Sequence, residues 1–203
     1  MRPPARARNL RMNPSDPACP ARRRLLGIGA AGLALAGAAA RPADAMPPPR
    51  TASGARSLAF ENLHTGETLR TVYWEQGRYL SQPLRDIEYL LRDFRTGQQH
   101  PIDVALLDLL HSMGRQLDCT RPIQLISGYR SPATNAALRA RSHGVARSSL
   151  HMQGMASDIR IPGRDLRHVR DLAWSLGGGG VGFYPHSNFV HVDVGAVRRW
   201  NGV

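Results

Sequence analysis

The chain has 203 residues, 42% hydrophobic and 21% charged, a composition that sustains one domain with its own apolar core and excludes a disordered chain. Its formal net charge of +12 comes from 27 basic residues, every one an arginine, against 15 acidic ones. Half of that excess sits in the first 45 residues, and the other half is spread without a basic run or an arginine–aromatic stripe. That distribution argues against a nucleic-acid partner and suits an anionic one such as a cell-wall polymer.

The first 45 residues carry the three parts of an export signal. Arg22-Arg23-Arg24 precede Leu25-Leu26, the apolar stretch GIGAAGLALAGAAA follows, and Ala43-x-Ala45 closes the segment. The paired arginines are similar to the twin-arginine type. The apolar run is shorter than the ~20 residues a spanning helix needs, so cleavage is expected after Ala45 and no membrane span remains. Residues 46–56, MPPPRTASGAR, form a Pro/Ser/Gly linker, and the domain proper is assigned to 57–203. Cys19 falls in the signal, so Cys119 is left without a disulfide partner.

From Ser57 the pattern alternates apolar and polar residues on both sides of Thr65-Gly66, a hairpin signal. Leu84, Ile87, Leu90, Leu91 and Phe94 then recur at helical spacing behind Pro83, and Val104, Leu107, Leu110 and Met113 mark a second amphipathic helix. PIQLIS is a short strand, and Ser131-Pro132 opens a third helix with proline in its first turn. ASDIRI is a strand, RDLRHVRDLAWSLG a fourth helix ending at Gly177, and GVGFYP and NFVHVDV two further strands. No internal repeat is visible. Helices followed by short, tightly linked strands predict an α+β domain with an antiparallel sheet.

Strand alternation sorts the ionisable residues. In NFVHVDV, Val190, Val192 and Val194 share one face, and Phe189, His191 and Asp193 the other; in ASDIRI, Asp158 lies opposite Ile159 and Ile161. If the two strands are neighbours, Asp158 and His191 emerge on one surface, with His151 in the loop that leads into it. Two neutral imidazoles and one carboxylate form a sound set for Zn²⁺, with a fourth position left for water. Taken singly, His151 and Asp158 are better explained by a packed or surface histidine and a solvated aspartate. The glycine and alanine between them let backbone approach a crowded centre. Upstream, SGYRSPATN places Arg130 at a strand end that opens a helix, where its guanidinium is available to a carboxylate or an oxyanion, or to a capping turn.

Ser-Gly-Tyr-Arg-Ser at 127–131, Ser-x-His-x-x-Gly-x-Ala-x-Asp at 149–158 and Phe-Val-His-Val-Asp at 189–193 occur in that order. Together they resemble the zinc D-Ala-D-Ala peptidase superfamily (LAS metallopeptidases), which includes hedgehog-type domains. The twin-arginine start and the ending GVGFYPHSNFVHVDVGAVRRW are similar to its YcbK-like branch of exported murein peptidases. The resemblance spans about Ser57 to Trp200. It implies helices on one face of a small antiparallel sheet, with the zinc site on the other. It also implies one Zn²⁺ per chain held by His151, Asp158 and His191, substrate binding and carbonyl polarisation by Arg130, and substrate contact by Ser149.

Many members of that superfamily place an acidic general base three residues before the last histidine ligand, where this chain has Asn188, an amide that takes no proton at neutral pH. Asp193 is then either the catalytic base or an orienting partner of the imidazole, and His186 is a third candidate. The expected function is a periplasmic D,D- or L,D-endopeptidase that cuts peptide cross-links in peptidoglycan, working as a monomer. Alternatives are a D-Ala-D-Ala carboxypeptidase of the same fold and a non-catalytic zinc-containing wall-binding domain.

Overall fold

The computed structural model describes residues 54–118, 121–142 and 144–202. The export signal, its expected cleavage point, residues 46–53 of the linker and Cys119 lie outside them. Among the described residues no helix is long and apolar enough to cross a membrane.

Strands β1 (Arg56–Asn62) and β2 (Thr68–Glu75) form the predicted antiparallel hairpin. Asn62 starts its turn, its side-chain oxygen accepting the amides of His64 and Thr65. A two-residue strand, β3 (Arg78–Tyr79), pairs with the far side of β2. Helix α1 (Ser81–Leu90) follows, and α2 (Val104–Gln116) begins at Asp103, whose carboxylate caps the amide of Ala105 at 2.9 Å. After β4 (Ile123–Ser127), α3 (Pro132–Arg141) is capped by Ser131 with proline at its first position. A 3-10 turn over Leu150–Gln153 leads into β5 (Ala156–Arg160), and α4 (Leu166–Leu176) ends at Gly177 as predicted. Strands β6 (Gly180–Tyr184), β7 (Phe189–Asp193) and β8 (Arg198–Asn201) complete the chain.

The expected class stands as α+β, but the sheet is neither small nor antiparallel throughout. Eight strands run in the order β3-β2-β1-β4-β5-β7-β6-β8, and β1 with β4, and β6 with β8, are parallel pairs. The physical reason lies in the connections. The chain leaves the β1–β2 hairpin, crosses through α1 and α2, and returns beside β1, the long crossover a parallel pair requires. β8 reverses direction after β7, which itself runs antiparallel to β6, so it meets the free edge of β6 in parallel.

Leu58, Phe60, Leu106, Leu107, Ile159 and Val192 belong to one buried apolar cluster that joins sheet and helices. Buried apolar area of this kind supplies most of the folding free energy, at ~25 cal/mol per Å² removed from water. A polar knot ties the first three strands to α2. Asp108 accepts hydrogen bonds from the Tyr73 hydroxyl at 2.7 Å, the Tyr79 hydroxyl at 2.8 Å and the Arg56 guanidinium. Burial alone would raise the Asp108 pKa, but these donors outweigh it and hold the carboxyl below its ordinary value.

Candidate metal centre

The site is assembled where β4, β5 and β7 lie side by side. Asp158 pairs in register with His191 across β5 and β7, so their side chains leave the same face, while Ile159 and Val190 pair on the buried apolar side. Gly154 makes the tight entry to β5 possible. Its φ is +68°, and a Cβ there would fall 2.1 Å from the carbonyl oxygen of Pro101, so any larger residue would force the His151 loop away. The amide of Asp103, the cap of α2, donates to the Gly154 carbonyl at 3.0 Å and ties that loop to the core.

His151, Asp158 and His191 converge, all three buried. Nε2 of His151 lies 3.2 Å from Nδ1 of His191 and 3.3 Å from Oδ1 of Asp158; His191 Nδ1 lies 2.9 Å from the same oxygen. The outer nitrogens set the tautomers. His151 Nδ1 sits 2.7 Å from the Gly128 carbonyl and His191 Nε2 sits 3.0 Å from Oδ2 of Asp193. Both partners only accept, so both outer nitrogens carry hydrogen, and in the neutral rings both inner ones present lone pairs. Three acceptors therefore face one another at contact distance, an arrangement that calls for a cation among them. Ligands about 2.0–2.1 Å from a tetrahedral ion stand roughly 3.3 Å apart, close to the spacing here, so the residues present fit a zinc ion.

The electrostatics agree. Burial disfavours charge on His191, but hydrogen bonds and charge from Asp158 and Asp193 outweigh it and push the imidazole up to about 9, so positive charge is favoured at this spot. Burial would raise Asp158, yet His151 and then His191 hold its carboxyl far below the ordinary range. Arg130 packs beside this group, its Nη2 3.7 Å from Oδ2 of Asp158. Burial pulls its pKa down despite that carboxylate, and its Nε is buried without a hydrogen-bond partner.

A cleft of about 740 Å³ opens over the centre, lined among others by Arg130, Ser149, His151, Asp158, His191 and Trp200. Ser149 is buried at the start of the 3-10 turn with no capping bond from its side chain. Asp158 is the sole carboxylate among the described residues that line the cleft. Asn188 and His186 do not line it; both are exposed in the β6–β7 turn. Asp193 is fully buried behind His191, where the amides of Gly180 and Gly195 (each 2.9 Å) and both Nη atoms of Arg198 (3.1 and 2.6 Å) join His191 in donating to it.

Two contributors escaped the sequence reading. Asp93 is 2% exposed and reaches across to the cap of α3, accepting the amide of Ser131 at 2.9 Å as well as that of Arg95 at 3.0 Å. It thereby fixes the turn that carries Arg130. Burial pushes its carboxyl up, but hydrogen bonds from Ser131, Thr134 and Arg95 prevail and bring it to about 2. A folded value below the unfolded one means that the ionised form is favoured by folding. The contribution, about 2 kcal/mol, is complete above pH ~4 and is lost as pH falls towards 2. Urea unfolding at stepped pH is expected to show Asp93→Asn less stable than wild type at pH 7, with the difference shrinking below pH 4. The second contributor is β8, whose arginine-rich sequence hides a strand.

Residues 50–200 match the family described as Peptidoglycan L,D-endopeptidase MepK. Relatives bearing that name in Escherichia coli K12 and Shigella flexneri are 44% identical over 179 residues, covering 88% of this chain and 96% of theirs. The Haemophilus influenzae protein named a probable peptidoglycan L,D-endopeptidase MepK is 44% identical over 149 residues, 73% of this chain and 80% of its own. With the match running from before β1 into β8, the chain belongs to the MepK family of the zinc D-Ala-D-Ala peptidase superfamily.

Proposed function

We propose that the protein is an exported zinc endopeptidase that hydrolyses a peptide cross-link in peptidoglycan, with the L,D preference that its relatives' names carry. The observation that carries this reading is the convergence of two imidazole lone pairs and one carboxylate oxygen under a cleft that also holds Arg130. His151 through Nε2, His191 through Nδ1 and Asp158 through Oδ1 would hold one Zn²⁺. When bound, the ion supplies Lewis acidity and lowers the pKa of water.

The chain's own residues do the rest. Gly128 and Asp193 keep the two imidazoles in the tautomers that present lone pairs inward. The Arg130 guanidinium, with donors in hand, stabilises negative charge as it grows on the scissile carbonyl oxygen. Ser149 contacts the substrate backbone at the cleft wall. Hydrolysis places the oxygen of water on the carbonyl carbon and a proton on the leaving amine. Asp193 is not the group that relays that proton, because five donors already occupy its two oxygens; it orients His191. Helices on one face of the sheet and the centre on the other complete the reading, supported by strand parity along β5, which sends Asp158 to the face opposite Ile159; Ile159 joins the apolar cluster and Asp158 lines the cleft. Peptidoglycan lies outside the cytoplasmic membrane, and residues 22–45 support export by the twin-arginine route.

Isolated murein digested by the purified zinc-loaded protein is expected to release new muropeptides by mass spectrometry, with the mass of one water added per cut. No release at any pH between 5 and 9 would leave a wall-binding domain instead. Asp193→Asn separates its two roles. As an orienting residue it should cost roughly 10–100-fold in zinc affinity, with cleavage regained when zinc is raised. Were Asp193 the base, zinc affinity would hold and the turnover loss would persist at every zinc concentration.

A further inference from the structure

The stretch Gly177 to Gly182 is glycine at five of six positions, and two of them have a specific cause. Strand β6 is matched in parallel register by β8, Gly180 with Arg198 and Gly182 with Trp200. A Cβ on Gly180 would lie 2.5 Å from Nη1 of Arg198 and 2.5 Å from Oδ2 of Asp193; one on Gly182 would lie 2.5 Å from the Trp200 ring. Side chains of β8 thus fill the space that β6 leaves bare.

What they reach is the back of the metal centre. Arg198 grips Asp193 with both arms of its fork, Nη2 to Oδ2 at 2.6 Å and Nη1 to Oδ1 at 3.1 Å, the bidentate geometry that fixes a carboxylate plane. Asp193 is 0% exposed, so this ion pair is shielded from water on the carboxylate side. Trp200 lies tilted against the His191 imidazole, ring centroids 5.2 Å apart, and is itself held by a hydrogen bond from its Nε1 to the Tyr184 hydroxyl at 2.9 Å. The Arg198 guanidinium stands over the Trp200 ring at 5.1 Å.

We propose that β8 is a positioning element for the metal centre: Arg198, acting through Asp193, and Trp200, packed on the ring, hold His191 with Nε2–H outward and Nδ1 directed at the metal. The proposal rests on the zinc reading above. Neither residue is assigned contact with the ion, so their effect belongs to metal affinity and ligand geometry before it belongs to turnover. Arg199, the exposed neighbour that instead packs over Trp174, serves as the control.

The test uses the full mature chain. Zinc affinity is measured by competition with a chromophoric chelator, and ligand geometry from the visible spectrum of the Co²⁺ form. Arg198→Ala is expected to bind zinc roughly 10–100-fold more weakly and to shift the cobalt bands. Arg198→Lys, which keeps the charge without the fork, should fall between it and wild type, and Arg199→Ala should match wild type. Zinc affinity within twofold of wild type for both Arg198 variants, with unchanged cobalt bands, overturns the proposal. A readout independent of variant folding is the His191 Nε2–H proton in zinc-loaded wild type, expected as a slowly exchanging downfield NMR signal; its absence likewise overturns the proposal. His191→Ala with full zinc retained would overturn the zinc reading itself, and this inference with it.

Discussion

His151→Ala is expected to remove both the bound zinc and all detectable cross-link cleavage. A four-ligand zinc site in a small domain is worth about 10–16 kcal/mol at neutral pH, so one protein ligand carries on the order of 3–4 kcal/mol, or a loss of roughly 10²–10³-fold in affinity. The effect on turnover is larger, because any ion that the two remaining ligands still captured would be free to move relative to Arg130, and a misplacement of ~1 Å costs on the order of 10²-fold by itself. His151 can also be replaced without cutting the backbone tie to Arg130. Its ring is 2% exposed and its backbone carbonyl accepts the Arg130 amide at 3.1 Å, an interaction that alanine keeps. The variant should therefore fold with Arg130 still in place, and elemental analysis of the purified protein reads the metal loss directly. Full zinc stoichiometry in His151→Ala would show that another residue set holds the ion.

The sequence disclosed this site unevenly, and the reasons are physical. Asp158 and His191 were legible because strand parity is strict: with a period of two, apolar Ile159 and Val190 on one face force the ionisable neighbours to the other. Neighbouring strands then brought the two together, as the register of β5 with β7 bears out. The start of the third helix at Ser131-Pro132 was legible because capping and first-turn proline are local chemistry. The parallel pairings were not, since strand direction depends on where a connection lands, and α1 and α2 between β2 and β4 decide that in three dimensions. β8 escaped for a different reason. An edge strand with two arginines lacks the alternation that marks a strand, and its partner signal, glycine at 180 and 182, lies sixteen or more residues upstream. Asp93 was invisible on the same principle, because a carboxylate that crosses 38 residues to cap another segment leaves no local trace.

Arg130→Ala is the second large effect, and it discriminates between two uses of one guanidinium. If Arg130 stabilises charge that develops on a scissile carbonyl, its loss lowers kcat by about 10²–10³-fold, the range seen when one oxyanion donor is removed. If it binds the terminal carboxylate of a peptide, as a carboxypeptidase would need, the loss appears mainly in KM, because the carboxylate is present equally in ground and transition states. The geometry supports the first use. Arg130 stands 3.7 Å from Asp158, deep in the cleft beside the metal ligands, its side chain 12% exposed. On the proposed reading a donor placed there would meet the reacting carbonyl, whereas a receptor for a chain end would close the cleft beyond the scissile bond. Its desolvation also makes each donated bond stronger than one in water. Steady-state kinetics on a purified cross-linked muropeptide should thus show a kcat defect of two to three orders of magnitude with KM changed by less than about threefold, and zinc content unaltered. Arg130→Lys restores charge but not the planar fork and should recover only part of the loss. A KM defect that dominates, together with preference for substrates ending in a free carboxylate, would move the assignment from endopeptidase to carboxypeptidase while leaving the zinc ligands where they are.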